Sequence, residues 1–225
     1  MGCDIHMYYE KYNGENWNQI EWEEKYRDGC YDDGDKRYDW KEMIEDNLYI
    51  GRNYNLFSIL ADVRNGTGFA GCHTSDGFVP ITALPRYLPD DVSHNVGAEH
   101  FGWEADAHSA SWFTLAELLA YNWDDKTVVL SGVVDTISYA QFKKDGYPLE
   151  YSGGVSGGRV EEVDNMDMDA IMKNGEPNDG KNYYTRVNWE VSYRDAVGKH
   201  FFKTLEALKG LGEPENIRLV FWFDN

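Results

Sequence analysis

The sequence predicts an α+β fold: one mixed, largely antiparallel sheet with helices mainly on one of its faces. Three observations lead to it. Residues 2–10 alternate, with Cys3, Ile5, Met7 and Tyr9 pointing one way and Asp4, His6, Tyr8 and Glu10 the other, the period of a half-buried strand. Residues 183–193 repeat the pattern, Tyr183, Val187, Trp189, Val191 and Tyr193 lying opposite Arg186, Asn188, Glu190 and Ser192. The run Ile217–Phe223 is apolar on both faces, as an interior strand must be.

The elements follow in order. After the first strand, Asn13-Gly14 reads as a hairpin turn, and Trp17, Ile20 and Trp22 suit a partner strand. Residues 23–46 are dense in Asp, Glu, Lys and Tyr and read as a solvated excursion with a short helix near Trp40–Ile44. Leu56, Phe57, Ile59, Leu60 and Val63 recur at spacings of three and four, so 54–63 is a helix with one buried face, capped by Asn53 or Asn55 and stopped by Asn65-Gly66. Gly66 to Gly77 is a long glycine-rich loop, and Pro85 to Asp91 a turn region. Thr114 to Tyr121 is a helix opened by a capping box, Thr114 with Glu117. Residues 127–134 are β-branched and strand-like, and 138–144 form a short helix. The glycine pairs and acidic run of 151–181 fit an insertion or flap, extending over 140–181 as a whole. Helix 196–209 buries Val197, Phe201, Leu205 and Leu208 and ends at Gly210 or Gly212. With no internal repeat and no clean linker, residues 1–225 read as a single domain.

Composition narrows the function. Lys and Arg number 21 against 40 Asp and Glu, a formal net charge of -19, which disfavours binding to long nucleic acid through its phosphates. A small phosphorylated ligand remains compatible, because a local arginine cluster overrides a global field. No window approaches 18 apolar residues, so no membrane span is expected. Three cysteines, Cys3, Cys30 and Cys72, form no C-x-x-C pair and follow no secretory segment, which fits reduced thiols in a cytoplasm. The opening Met-Gly-Cys has His6 where myristoylation wants Ser or Thr. An oligomer is compatible with all of this.

Four clusters carry chemistry. Asp4 and His6, two apart on a strand face about 6–7 Å per step, can hold a divalent metal together or form an oriented base, whereas Glu10 lies about 20 Å along and cannot join them. The plainer reading is a solvent-facing strand side. Arg52, Asp62, Arg64 and Asn65 bracket the first helix beside the glycine-rich loop, where two arginines can clamp an anion. No Walker lysine or G-x-G-x-x-G accompanies them, and Arg64 can simply pair with Asp62. In Asp106-x-His108-Ser109-x-Ser111-Trp112, a histidine beside serines in a loop opening a helix suits general acid–base work, although capping by Ser109 or Ser111 explains it equally. Arg194, at a strand-to-helix junction beside Asp195, and Asp224 complete the set, with capping by Asp195 and an exposed terminal carboxylate as the plainer reading.

The opening Met1-Gly2-Cys3-Asp4-Ile5-His6 with Glu10 resembles the start of an uncharacterised family encoded by phages and bacteria. The resemblance continues at Arg52-Asn53-Tyr54-Asn55-Leu56-Phe57, at Ala61-Asp62-Val63-Arg64-Asn65-Gly66, at Asp76-Gly77-Phe78, at His108-Ser109 with Ser111-Trp112, and at Arg218 to Asn225. Residues 23–46 and 140–181 show no match to it, and some relatives carry a second His where this chain has Ala110. The resemblance implies a phage or prophage context and no established activity. Since members of all four clusters fall inside its blocks, one shared site is expected.

The resulting expectation is a phosphodiesterase-like hydrolase with Asp4, His6 and His108 as catalytic groups, metal- or His-assisted. Arg52, Arg64, Asn65, Ser109, Ser111 and Arg194 would bind a small, anionic, nucleotide-like substrate. The alternatives are a non-catalytic protein that sequesters a nucleotide-derived signal against host defence, and an acidic inhibitor of a basic host protein. Residues 2–10 are expected to share a sheet with 217–223, and His6 to lie within about 8 Å of His108 or Arg64, a reach one bound group or water can bridge.

Overall fold

In the computed structural model, residues 2–20, 51–68 and 71–224 are described. Trp22, the 23–46 excursion with its Trp40–Ile44 helix, Cys30 and Phe69 lie outside them. The first strand, β1 (Asp4–Tyr12), forms where the alternation places it, with Ile5, Met7 and Tyr9 buried. At its end Gly14 takes φ 101, the Asn13 side chain accepts from the N–H groups of Glu15 and Asn16, and β2 (Trp17–Gln19) returns beside β1. The first described helix, α1 (Tyr54–Ala61), is capped by Asn53, whose side chain accepts from Asn55 and Leu56, and it ends at Asp62 in a left-handed conformation, before Asn65-Gly66 is reached.

Next come α2 (His94–Gly102), β3 (His108–Thr114) and α3 (Leu115–Ala120), the last with the Thr114–Glu117 capping box intact. They are followed by β4 (Thr127–Asp135), α4 (Thr136–Asp145), β5 (Val160–Val163) and α5 (Asn165–Asn174). Residues 140–181 thus hold the end of α4, β5 and α5, anchored by the fully buried Met168 and by Thr185 Oγ1 donating to Asn165 Oδ1 at 2.8 Å. β6 (Asn182–Ser192) leads into α6 (Tyr193–Val197) and α7 (Lys199–Lys209), one expected helix divided at Gly198, whose φ is 83. β7 (Ile217–Asp224) follows.

The α+β class holds, but the strands form two sheets where the sequence suggested one. The chain divides into two compact units: Met1–Arg52, Leu84–Tyr121 and Gly198–Asn225 make the first, and Asn53–Ala83 and Asn122–Val197 the second. In the first, β2-β1-β7-β3 run antiparallel throughout. Residues 4–11 pair with 217–224, as expected, and every residue from Ile217 to Phe223 is buried. In the second unit the order is β4-β6-β5, antiparallel between β4 and β6 and parallel between β5 and β6. β6 and β7, which read as one strand-helix-strand unit, belong to different sheets, because the partner that completes β7 is β1, some 200 residues away, and no local pattern reports it.

Inside the first unit lies a feature of high electrostatic cost. Arg218 interrupts the apolar run of β7 directly opposite Glu10 of β1, and the two side chains are 2% and 0% exposed. Arg218 Nε donates to Glu10 Oε2 at 2.7 Å, and the other Glu10 oxygen accepts from the Ser93 N–H at 2.8 Å, just before α2. Arg218 also donates to the Asp91 carboxylate and carbonyl, and its guanidinium lies 3.9 Å from the centre of the Trp17 ring. Burial alone would raise the Asp91 carboxyl, but the hydrogen bond and charge of Arg218, with a hydrogen bond from Trp17, outweigh it and hold it below its ordinary value of 3.8.

Taking one member from a buried pair leaves an uncompensated charge, so Glu10→Ala or Arg218→Met is expected to destabilise the chain by about 3–5 kcal/mol. A double substitution by apolar residues of similar volume should recover much of that loss. Chemical denaturation of the three variants checks both outcomes.

Candidate functional site

The register that joins Glu10 to Arg218 also sets Asp4 opposite Asp224 and His6 opposite Trp222. Opposed residues on neighbouring strands share a face, so this end of the sheet gathers Asp4, His6, Trp222 and Asp224 together. The Asp224 carboxylate is held at both oxygens: Oδ1 accepts the Asp4 backbone N–H at 3.1 Å, and Oδ2 lies 3.3 Å from His6 Nε2. The side chains of His6 and Asp224 are 20% and 21% exposed, reachable yet largely out of water. A carboxylate on Nε2 fixes the imidazole with its proton there and leaves Nδ1 as the acceptor. Asp4 is clamped by Arg52, which donates from Nε and Nη2 to its two oxygens at 2.6 Å each. The Arg52 hydrogen bond holds the Asp4 carboxyl below the usual carboxylate range; the small burial opposes this, and the charges of Arg52 and His6 add to it.

Aromatic rings complete this face. Trp103, at the end of α2, has its ring centre 4.1 Å from that of His6, and Trp222 stacks at 5.7 Å from His6 and 4.9 Å from Tyr8. His100 meets Trp222 edge-on at 5.0 Å, and burial lowers its pKa, which favours the neutral imidazole. Tyr8 is pushed up to about 12 by burial and by the adjacent Glu99 carboxylate. None of Trp103, Trp222 or His100 was singled out by the sequence, since their approach to His6 depends on strand pairing and on a helix with only Val96 buried.

His108 and Ser109 lie on a strand, not in a loop opening a helix. Small polar residues hide β3, which pairs with β7 at an irregular register between His108 and Ser111, where Ser109 takes φ 52. His108 pairs with Phe223 and stacks on it at 5.8 Å, one position from the Trp222 that faces His6. Successive residues of β7 point to opposite sides, so the register sets His6 and His108 on opposite faces of the sheet. His108 Nδ1 is 3.1 Å from Ser109 Oγ. Ser111 is fully buried, and its Oγ accepts the Arg86 N–H at 3.1 Å, a packing role; helix capping falls to Thr114.

Arg64, Asn65 and Arg194 belong to the second unit. Arg194 donates to both carboxylate oxygens of Asp124, at 2.5 and 3.0 Å, and Arg64 lies over the Tyr54 ring at 5.6 Å. Asn65 staples the glycine-rich loop: its Nδ2 donates to Asp62 and to the Phe78 carbonyl, and its Oδ1 accepts the Phe78 N–H. Two of the three arginines expected to clamp an anion, Arg52 and Arg194, therefore already hold a carboxylate bidentately. Among the described residues no group of three or more His, Cys, Asp or Glu is placed to hold a metal ion. With both oxygens of Asp4 on Arg52, the donor set at Asp4 and His6 does not fit a divalent cation. No described helix is long and apolar enough to cross a membrane.

Comparison of the chain with protein-family models, curated proteins and solved structures finds no match.

Two outcomes follow. Asp4 binds its proton more weakly folded than unfolded, so the stabilisation it gives is complete above about pH 5 and is lost as the pH falls through 3.8 and below. In a carboxyl-carbon NMR titration its midpoint should lie below 3.8, and Arg52→Gln should raise it. Gly77 takes φ +77, and a Cβ there would land on the Asn65 amide, so Gly77→Ala is expected to cost more than about 1–2 kcal/mol in thermal or chemical denaturation.

Proposed function

We propose that the chain is a hydrolase whose general base is His6, oriented by Asp224, acting on a small nucleotide-like substrate in the manner of a phosphodiesterase. The observation that carries this reading is the contact between His6 Nε2 and Asp224 Oδ2 at 3.3 Å, on a partly exposed strand end. With Nε2 given to the carboxylate, Nδ1 takes a proton from water as the water oxygen bonds to phosphorus. The ester P–O bond then breaks, and the leaving oxygen recovers a proton from the imidazolium. The partly exposed Trp103, tilted at 42° to His6, offers a surface on which a nucleobase can stack. Arg52 shares its charge with Asp4, so aromatic stacking, more than excess positive charge, has to carry recognition of the substrate.

The sequestration reading uses the same aromatic surface without turnover. It is favoured by one observation, that His108 lies on the opposite sheet face from His6 and so offers no acid to pair with that base.

The test is turnover of a panel of cyclic nucleotides and dinucleotides by the full chain. His6→Ala and Asp224→Asn are each expected to lower kcat by about 10²–10⁴-fold, with circular dichroism unchanged. Full activity in both variants would overturn the assignment. Tight calorimetric binding of a nucleotide that is recovered intact after long incubation would replace hydrolysis with capture.

A further inference from the structure

Arg52 is 48 positions from Asp4 in sequence, yet it stands at the head of a continuous path to the His6 imidazole. We infer that Arg52 is a positioning residue for His6, acting through Asp4 and Asp224. Its meaning for catalysis rests on the reading of His6 as a base, but the structural claim stands without it.

The links are three. Arg52 Nε and Nη2 grip the two Asp4 oxygens at 2.6 Å each. The Asp4 backbone N–H donates to Asp224 Oδ1 at 3.1 Å, and Asp224 Oδ2 receives His6 Nε2 at 3.3 Å. Asp4 is the first residue of β1, and Asp224 the last of β7. Strand ends open locally at almost no cost in free energy. An ion pair with both partners near half exposure is weak, negligible in a core but comparable to the cost of fraying here. When Asp4 is pinned, its N–H stays on Asp224 and the carboxylate keeps its second oxygen on His6. When Asp4 frays, Asp224 loses that hold and the imidazole its fixed tautomer.

The residue before Cys3 supports the arrangement. Gly2 has the Arg52 guanidinium packed against it: a Cβ at Gly2 would come within 3.2 Å of Nη1 and 3.4 Å of Nη2. A methyl at position 2 would press on the planar fork that faces Asp4, and the guanidinium would have to give by a few tenths of an ångström. A lysine cannot reproduce this, because an ammonium is a point charge with no bidentate geometry.

The experiment reads the His6 ring nitrogens directly in the full chain without substrate, by long-range ¹H–¹⁵N correlation above the imidazole titration. In the wild type the neutral ring is expected as the Nε2–H tautomer alone. Arg52→Gln should convert it to a mixture with Nδ1–H, and Arg52→Lys should fail to restore the single form. Gly2→Ala, which keeps every charge and only displaces the fork, should give a smaller loss in the same direction. An unchanged tautomer in Arg52→Gln overturns the proposal, and so does full restoration by lysine, which would reduce the effect to charge alone. If Arg52→Gln does not fold, Gly2→Ala decides, and an unaltered ring there overturns it. A tautomer that responds as expected in a chain that turns over no nucleotide separates this claim from the hydrolase reading, which alone would fall.

Discussion

The Glu10–Arg218 ion pair is the constraint on which the geometry of the first unit rests. A strand pair slips by one residue only at the price of turning every side chain to the wrong face. In β7, whose neighbouring side chains are all apolar up to Phe223, such a slip would cost little in hydrophobic burial alone, since both faces are covered. The one charged side chain in that run removes the ambiguity. Arg218 has to meet Glu10, and once it does, Tyr8 falls opposite Val220, His6 opposite Trp222 and Asp4 opposite Asp224. The contact between His6 and Asp224 is thus set by a salt bridge four residues away on β1 and six away on β7. The same pair fixes what covers it: Glu10 takes the Ser93 N–H ahead of α2, and Arg218 binds Asp91 and stacks on Trp17. The charge that specifies register therefore also recruits the covering loop.

Much of this was legible in the residues, and the parts that were not share a cause. Alternation in 2–10 and the apolar run 217–223 report local burial, so β1 and β7 could be read directly, as could the α1 cap at Asn53 and the capping box at Thr114. What alternation does not report is the partner. β6 and β7 looked like neighbours because they are close in sequence, yet each pairs within a different sheet. β3 was hidden because His108-Ser109-Ala110-Ser111 lacks β-branched residues and is broken by a bulge, and α2 because its two glycines, two histidines and asparagine present only Val96 to the interior. Arg218 carries a usable signal: an arginine inside an apolar run requires a buried acid, and Glu10 sits on the polar side of β1.

The candidate site shows the same division. Asp4 and His6 were recognisable as neighbours on one face, and Arg52 as a cation of interest, but its partner was Asp4 itself. Asp224 looked like a terminal carboxylate and proves to be the group that holds His6. The sequence leaves the arginines open to an anion, whereas Arg52 and Arg194 are neutralised by Asp4 and Asp124. In a chain with almost twice as many acidic as basic residues, an arginine is more readily matched within the protein than left for a ligand, and that consequence of composition was available from the start.

The pairing of β1 with β7 also shapes how the molecule is made. Asp4 and Asp224 are 220 positions apart, so β1 has no permanent neighbour on that side until β7 is translated. At ordinary elongation rates that interval is on the order of 10–40 s. For all of it, Ile5, Met7 and Tyr9 belong to a strand with an open hydrogen-bonding edge, the kind of segment on which nascent chains stick to one another. The newborn chain thus carries a long-lived adhesive strand, and its yield in a cell should depend on the factors that shield such strands until Arg218 arrives.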